Sequence, residues 1–89
     1  MAVGTSSARN VMEIKITNHS KLFSMFDAVV CGDEVEHGKP NPDIFLSAAR
    51  KINATDPEKC LVFEDALNGV HAALAAKMKV EYKYRIYII

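Results

Sequence analysis

Long apolar runs are missing from this sequence. No stretch approaches the ~20 consecutive apolar residues that cross a bilayer. The first seven residues have neither the basic start nor the apolar centre of a signal peptide. Internal repeats and low-complexity tracts are also absent. We therefore expect a cytoplasmic protein that does not associate with a membrane.

Net charge is missing as well, and cysteine is scarce. Eleven basic and eleven acidic residues cancel, so nothing favours a nucleic acid or an anionic membrane surface as partner. Cys31 and Cys60 each lie in an apolar, strand-like run, which favours buried free thiols in a reducing compartment over a disulfide. A chain of 89 residues forms at most one small domain, and its core is marginal because roughly 60–65% of the unfolded surface is buried at this size.

A lysine in a stiff turn marks the first segment with functional character. Residues 37–45 read H-G-K-P-N-P-D-I-F, and two prolines restrict the turn around Lys39, so that its ammonium has a defined direction. Asn41 is a good N-cap, and Pro42 suits the first position of the helix predicted to follow. Such a cation suits a phosphate, and a surface lysine beside a turn is the alternative.

Two adjacent carboxylates end a fully apolar strand in the second segment. Residues 60–70 read C-L-V-F-E-D-A-L-N-G-V, which predicts a buried strand over Cys60–Phe63 with Glu64 and Asp65 at its carboxyl end. Ligands bind beyond the carboxyl ends of strands in open parallel sheets, and two hard oxygen ligands suit a divalent metal. The alternative is an acidic turn that caps the next helix, because carboxylates favour helix N-termini.

Hydroxyl residues follow a short apolar strand at the start of the chain. Thr5, Ser6 and Ser7 either cap the helix predicted to follow or hold a phosphate together with the first free N–H groups of that helix. The acidic group Asp33, Glu34 and Glu36 is interpreted as a solvated loop rather than a metal site.

The hydrophobic pattern predicts an α/β fold with strands near the chain start, before Gly32 and before Glu64. A helix is predicted over Ala8–Thr17, with Val11, Ile14 and the stem of Lys15 inward, followed by a turn over Lys21–Phe26 packed on the core and a buried strand over Ala28–Cys31. The next helix stops at Asn53 and has Ile44, Phe45, Ala48, Ala49 and Ile52 inward. The last helix is predicted over Asn68–Ala76, where Val70, Ala73 and Leu74 face the sheet and Gly69 allows close packing.

Taken together, these segments resemble a known family. A-V-G-T-S-S, L-F-S-M-F-D, H-G-K-P-N-P-D-I-F and C-L-V-F-E-D-A-L-N-G-V-H-A-A-L-A-A are similar to the haloacid dehalogenase superfamily, within it to the phosphoglucomutase-like phosphatases and their pseudouridine-5′-phosphatase group. The resemblance covers Ala2 to about Val80. It implies part of a Rossmann-like parallel sheet with flanking helices, and Mg²⁺-dependent release of phosphate from a small phosphorylated metabolite such as pseudouridine 5′-phosphate.

The resemblance also implies a role for each candidate residue. Thr5 matches the motif whose hydroxyl and following backbone N–H bind the transferring phosphoryl group, so that Ser6 would supply the N–H. Lys39 matches the motif that neutralises the charge of the phosphate and of the nucleophile. Glu64 and Asp65 match the motif that helps to hold Mg²⁺. Positioning and charge stabilisation are the main requirements of phosphoryl transfer.

Two parts of the family pattern are missing from these 89 residues. The D-x-D motif, which carries the nucleophilic and the acid/base aspartates, occurs nowhere, and the helical cap domain that selects the substrate is absent too. By resemblance, the D-x-D strand lies between the strands that end at Thr5 and Glu64. We therefore expect a truncated phosphatase that is unstable and inactive alone, since open sheet edges favour aggregation. The alternative is a non-catalytic module that binds phosphate, metal or a partner.

The last residues change in character. Residues 1–80 are predicted to form the partial core and residues 81–89, which hold all three tyrosines, a divergent tail. The alternation of apolar and charged residues there is typical of an edge strand, and read-through into non-coding sequence is the other interpretation. Lys77 stands where the family usually has glycine at a helix end, and a left-handed lysine there costs about 1 kcal/mol relative to glycine.

Overall fold

The computed structural model describes residues 1–83 and contains a parallel sheet in two halves. β1 (Ala2–Gly4) pairs with β2 (Ala28–Val30), and β3 (Leu61–Glu64) pairs with β4 (Lys79–Tyr82). No backbone ladder joins the two halves within the described residues. The prediction of a partial Rossmann-like sheet without its central strand is confirmed.

Helices connect successive strands, as in other α/β folds. α1 (Arg9–Asn18) and α2 (Ser20–Phe23) lie between β1 and β2, α3 (Asp43–Lys51) lies between β2 and β3, and α4 (Leu67–Ala75) lies between β3 and β4. Short 3₁₀ turns occupy Gly32–Glu34 and Pro57–Lys59. Across residues 1–83, every helix falls short of the length and apolar content that a membrane crossing requires.

One apolar cluster holds the two halves together. α3 packs on β1 and β2, α4 packs on β3 and β4, and the two helices contact each other. The predicted inward face of α3 is confirmed, with Ile52 half-buried and the rest buried. The buried members of the cluster are Val30, Ile44, Phe45, Ala48, Ala49, Ala72, Ala73, Ala76 and Met78.

The inward face of α1 differs from the predicted one. Met12 is buried, whereas Val11, Ile14 and Lys15 are exposed. The inward stripe runs through Ala8, Met12 and Ile16 instead, which lie four residues apart on one side of the helix. In the following segment Leu22 and Met25 are also exposed, and only Phe23 and Phe26 turn inward to half-buried positions with their ring centroids 6.3 Å apart.

β3 is covered on one face only, so the prediction of a fully buried strand was wrong. Val62 packs against the core, but Leu61 and Phe63 are 53% and 70% exposed, because α4 covers the opposite face. The predicted inward face of α4 also needs correction. Leu74 is exposed, and the buried stripe consists of Gly69, Ala72 and Ala73.

Two helix ends follow the predictions and one helix start does not. Asn53 and Lys77 are left-handed, with φ of 59° and 61°. Pro42, rather than Asn41, is the N-cap residue of α3, because its carbonyl accepts the first helical bonds, from the N–H groups of Phe45 and Leu46 at 3.1 and 3.0 Å. Both cysteines are free, with Cys31 buried and Cys60 half-buried.

The end of the chain begins as a paired strand. Glu81 and Tyr82 belong to β4 and lie opposite Phe63 and Glu64, which favours the edge-strand interpretation for these two residues. Residues 84–89, the rest of the predicted tail, lie outside the described residues. The boundary after residue 80 stays a prediction.

Candidate phosphate-binding site at the sheet division

Lys39 lies between the carboxyl ends of β1 and β3. Its ammonium donates to the carbonyl oxygen of Gly4 at 3.2 Å and to Oε2 of Glu64 at 2.9 Å. The side chains of Lys39 and Glu64 are only 9% and 10% exposed. A largely desolvated ion pair therefore connects two half-sheets that share no ladder in the described part of the chain.

The aromatic ring of Phe45 lies next to the ammonium of Lys39. Its ring centroid lies 5.0 Å from the Nζ atom of Lys39, a distance at which a cation is attracted to an aromatic face. The same ring packs so closely on β1 that a Cβ at Gly4 would lie 3.3 Å from it. The ammonium is thus held by an aromatic ring, a backbone carbonyl and a carboxylate.

Glu64 has partners for both of its carboxylate oxygens. Oε2 accepts from Lys39, and Oε1 accepts from the N–H groups of Asp65 and Ala66 at 3.1 and 3.3 Å. Those amides precede α4, and the N-cap of this helix, Ala66, has no side-chain cap, so the alternative of an acidic turn that caps α4 was wrong. Asp65 follows directly and its side chain is exposed.

Thr5 and Ser6 follow β1 and begin the loop that leads to α1. The N–H of Thr5 continues the ladder to Val30 at 2.9 Å, and the Thr5 hydroxyl accepts from the N–H of Ser7 at 3.2 Å. Within residues 1–83 the N–H of Ser6 has no hydrogen-bond acceptor, so it is available to a ligand. Thr5 lies next to Gly4, whose carbonyl binds Lys39.

The cap of α1 comes from a distant residue that the sequence analysis missed. Neither Thr5, Ser6 nor Ser7 caps this helix, so that alternative was wrong. Both carboxylate oxygens of Asp33 accept from the N–H of Arg9 at 3.1 Å. No local pattern indicates a cap that lies 24 residues away, and only the parallel pairing of β1 with β2 brings the two loops together.

Glu34 fixes the loop after β2. It accepts from the N–H of Cys31 and from the guanidinium of Arg9 at 2.7 Å, and Arg9 also donates to the carbonyl of Val29 at 2.8 Å. The Cys31 N–H, followed by Arg9, lowers the pKa of Glu34 to about 2 against the opposing effect of burial. Burial raises the pKa of the Cys31 thiol. Asp33 and Glu34 are exposed, as predicted for a solvated loop, and they also hold this loop to the start of α1.

Gly32 lets this loop approach the hydroxyl residues. Its N–H donates to the carbonyl of Ser7 at 2.9 Å, and a Cβ at Gly32 would overlap the carbonyl oxygen of Ser6. The loop that Asp33 and Glu34 stabilise therefore contacts the backbone of the Thr5–Ser7 segment and restricts its position.

The described residues alone do not fit a Mg²⁺ site. Mg²⁺ requires near-octahedral oxygen ligation, yet both oxygens of Glu64 are engaged. Residues 1–83 contain no group of three or more histidine, cysteine or acidic side chains that could hold a metal. Glu64 and Asp65 are brought to the predicted sheet edge, but they supply too few ligands. What the arrangement offers is a cation, a free N–H and a hydroxyl residue, which together suit an anion.

Comparison with known proteins identifies the family. Residues 1–77 match the sequence profile of the haloacid dehalogenase-like hydrolases. The chain belongs to the haloacid dehalogenase-like hydrolase family. The resemblance that carried the sequence analysis is confirmed at this level.

Individual relatives are phosphatases or proteins of the same fold. A Drosophila melanogaster protein named as a probable pseudouridine-5′-phosphatase is 49% identical over 82 residues, which are 88% of this chain and 36% of the relative. A fructose-1-phosphate phosphatase of Escherichia coli K12 is 47% identical over 78 residues, 88% of this chain and 40% of the relative. The crystal structure of CbbY from Rhodobacter sphaeroides with phosphate matches with a TM-score of 0.81 at 30% identity, over 96% of this chain and 38% of that chain. The chain spans less than half the length of each of these relatives.

Proposed function

We propose that these 89 residues are part of a phosphatase that releases phosphate from a small phosphorylated metabolite, with pseudouridine 5′-phosphate as the preferred substrate. The observation that carries the proposal is the buried position of Lys39 beside the loop of Thr5 and Ser6 at the carboxyl ends of the strands. This is the ligand position of open parallel sheets. The D. melanogaster relative supports the nucleotide substrate, while the E. coli relative favours a sugar phosphate.

Each residue contributes to binding or charge stabilisation. The Lys39 ammonium neutralises phosphate oxygens, and the Ser6 N–H and Thr5 hydroxyl donate to the same group. Glu64 keeps the lysine in place through the contact between Oε2 and Nζ. Preorganised donors of this kind stabilise the charge that develops in phosphoryl transfer.

The nucleophile and the rest of a metal site would come from outside these residues. Phosphoryl transfer in this family uses an aspartate nucleophile, and no D-x-D occurs in the sequence. Haloacid dehalogenase-like phosphatases are generally Mg²⁺-dependent, so we propose that Glu64 and Asp65 act with carboxylates of another segment. We also propose a cytoplasmic location and no nucleic-acid or membrane partner.

The test is to recover the coding sequence on both sides of residues 1–89 and to assay its longest product. We expect an upstream D-x-D and Mg²⁺-dependent phosphate release from pseudouridine 5′-phosphate that exceeds the release from fructose 1-phosphate. Lys39→Ala should abolish that activity, and the 89-residue chain alone should release none. Turnover by the 89-residue chain that depends on Lys39 would contradict the need for an external nucleophile.

The alternative is a non-catalytic module that binds phosphate, metal or a partner. It is favoured by the lack of D-x-D and by the uncovered face of β3, where Phe63 is 70% exposed. Phosphorus NMR of inorganic phosphate with the 89-residue chain, compared with its Lys39→Ala variant, tests the anion site directly. Lys39-dependent binding, in a protein whose full coding sequence lacks D-x-D, would support the module over the enzyme.

A further inference from the structure

Gly69 occupies a helical position where its lack of a side chain needs an explanation. It lies in the first turn of α4, is buried, and donates its N–H to Ala66 at 3.1 Å. Its φ is not positive, so the backbone conformation does not require glycine. Glycine inside a helix is less favourable than alanine. The neighbourhood supplies the reason, because a Cβ at this position would overlap the carboxylate of Glu64.

We infer that Gly69 is a positioning residue for the ion pair between Lys39 and Glu64. The carboxylate atom nearest to the added Cβ is Oε2, the same oxygen that accepts from Lys39. Oε1 is already held by two amides before α4. The carboxylate cannot move away from a methyl group at Gly69 without leaving either the lysine or those amides.

The consequence falls on Lys39. When Oε2 is displaced, the ammonium keeps only the carbonyl of Gly4 and the ring of Phe45. A cation in a site that is 9% exposed then lacks its counter-charge, and burying an unpaired charge is unfavourable. The lysine therefore moves toward solvent. That this also weakens phosphate binding rests on the proposed function.

The experiment measures how fast an amine-reactive reagent labels each lysine of the 89-residue chain. Peptide mass spectrometry separates Lys39 from Lys51 and Lys83, whose side chains are 46% and 73% exposed and serve as internal references. Gly69→Ala should raise the labelling rate of Lys39 about tenfold relative to the references, the factor that follows from losing an interaction of about 1.4 kcal/mol. Gly38→Ala is the matched control, since a Cβ there meets nothing within 4 Å.

Repeating the experiment in the Glu64→Ala variant distinguishes an effect of Gly69 on Glu64 from general damage to α4. In Glu64→Ala the carboxylate is gone, so adding Gly69→Ala should leave the Lys39 labelling rate unchanged and should raise the melting temperature, because alanine is the better helix former. Such non-additivity is the signature of direct coupling. Equal acceleration of Lys39 by Gly69→Ala in both backgrounds would overturn the inference.

Inorganic phosphate distinguishes this inference from the proposed function. If the site binds phosphate, added phosphate should slow Lys39 labelling in the wild-type chain and do so less in Gly69→Ala. A coupling between Gly69 and Glu64 without any phosphate effect would support the positioning role and count against the proposed function. Absence of the coupling together with phosphate protection would do the opposite.

Discussion

The Nζ atom of Lys39 lies 2.9 Å from Oε2 of Glu64, and this contact links the two halves of a divided sheet. Lys39 follows the half formed by β1 and β2, while Glu64 ends β3 in the other half. The fold and the candidate site therefore both depend on this ion pair.

Removing one partner of this pair should destabilise the protein severely. Lys39→Met leaves Glu64 buried without a counter-charge, and breaking a buried ion pair costs roughly 3–5 kcal/mol, a large part of the stability of a small domain. We expect the melting temperature measured by circular dichroism to fall strongly. The double variant Lys39→Met/Glu64→Leu should melt well above the single variant, because both charges are gone. A single variant as stable as the double one would show that the pair contributes nothing.

Glu34 should make the stability of the protein depend on pH below about 4.5, the ordinary pKa of a glutamate. Its pKa is 4.5 in its ordinary state and about 2 in the fold, so between these values the unfolded chain binds more protons. The stability that Glu34 contributes is therefore fully present above about pH 4.5 and is lost as the pH falls toward 2. Glu34→Gln should flatten the melting temperature measured from pH 5 to pH 2, whereas Glu36→Gln at its exposed neighbour should not. Parallel curves for wild type and Glu34→Gln would contradict this assignment.

The isolated chain should bind Mg²⁺ weakly. Glu64 is committed to Lys39 and to two amides, so that a mostly hydrated ion would be held no more tightly than about millimolar. Isothermal titration calorimetry of the 89-residue chain checks this value. A micromolar site that disappears in Asp65→Asn would prove the prediction wrong.

Lys77→Gly should stabilise the chain. The left-handed conformation, with φ of 61°, is unfavourable for lysine, and glycine should recover about 1 kcal/mol. That gain corresponds to a melting temperature higher by about 4–8 °C for a domain of this size. Asn53→Gly at the other left-handed position should gain less, since asparagine tolerates this conformation. An equal gain at both positions would contradict the argument.

The sequence predicts the local elements of this fold well and their environments less well. The pattern predicts Glu64 and Asp65 at the carboxyl end of a strand and Lys39 in a stiff turn, but only the structure shows that Lys39 reaches Glu64. The link between Asp33 and Arg9 was missed, since it depends on which loops the pairing of β1 and β2 brings together.

The same limit explains the wrongly assigned faces. Val11 and Phe63 are apolar residues in correctly predicted elements, yet both are exposed. Periodicity shows that an element has an apolar side, but whether another element covers that side depends on residues far away in the chain.

Alanine makes up much of the buried cluster that α3 and α4 share, since Ala48, Ala49, Ala72, Ala73 and Ala76 belong to it. Each of these helices packs on one half-sheet, and the two helices contact each other. Small side chains let helices approach closely, so we expect a larger residue in this cluster to move the end of β1 away from the end of β3 and to lengthen the contact between Lys39 and Glu64.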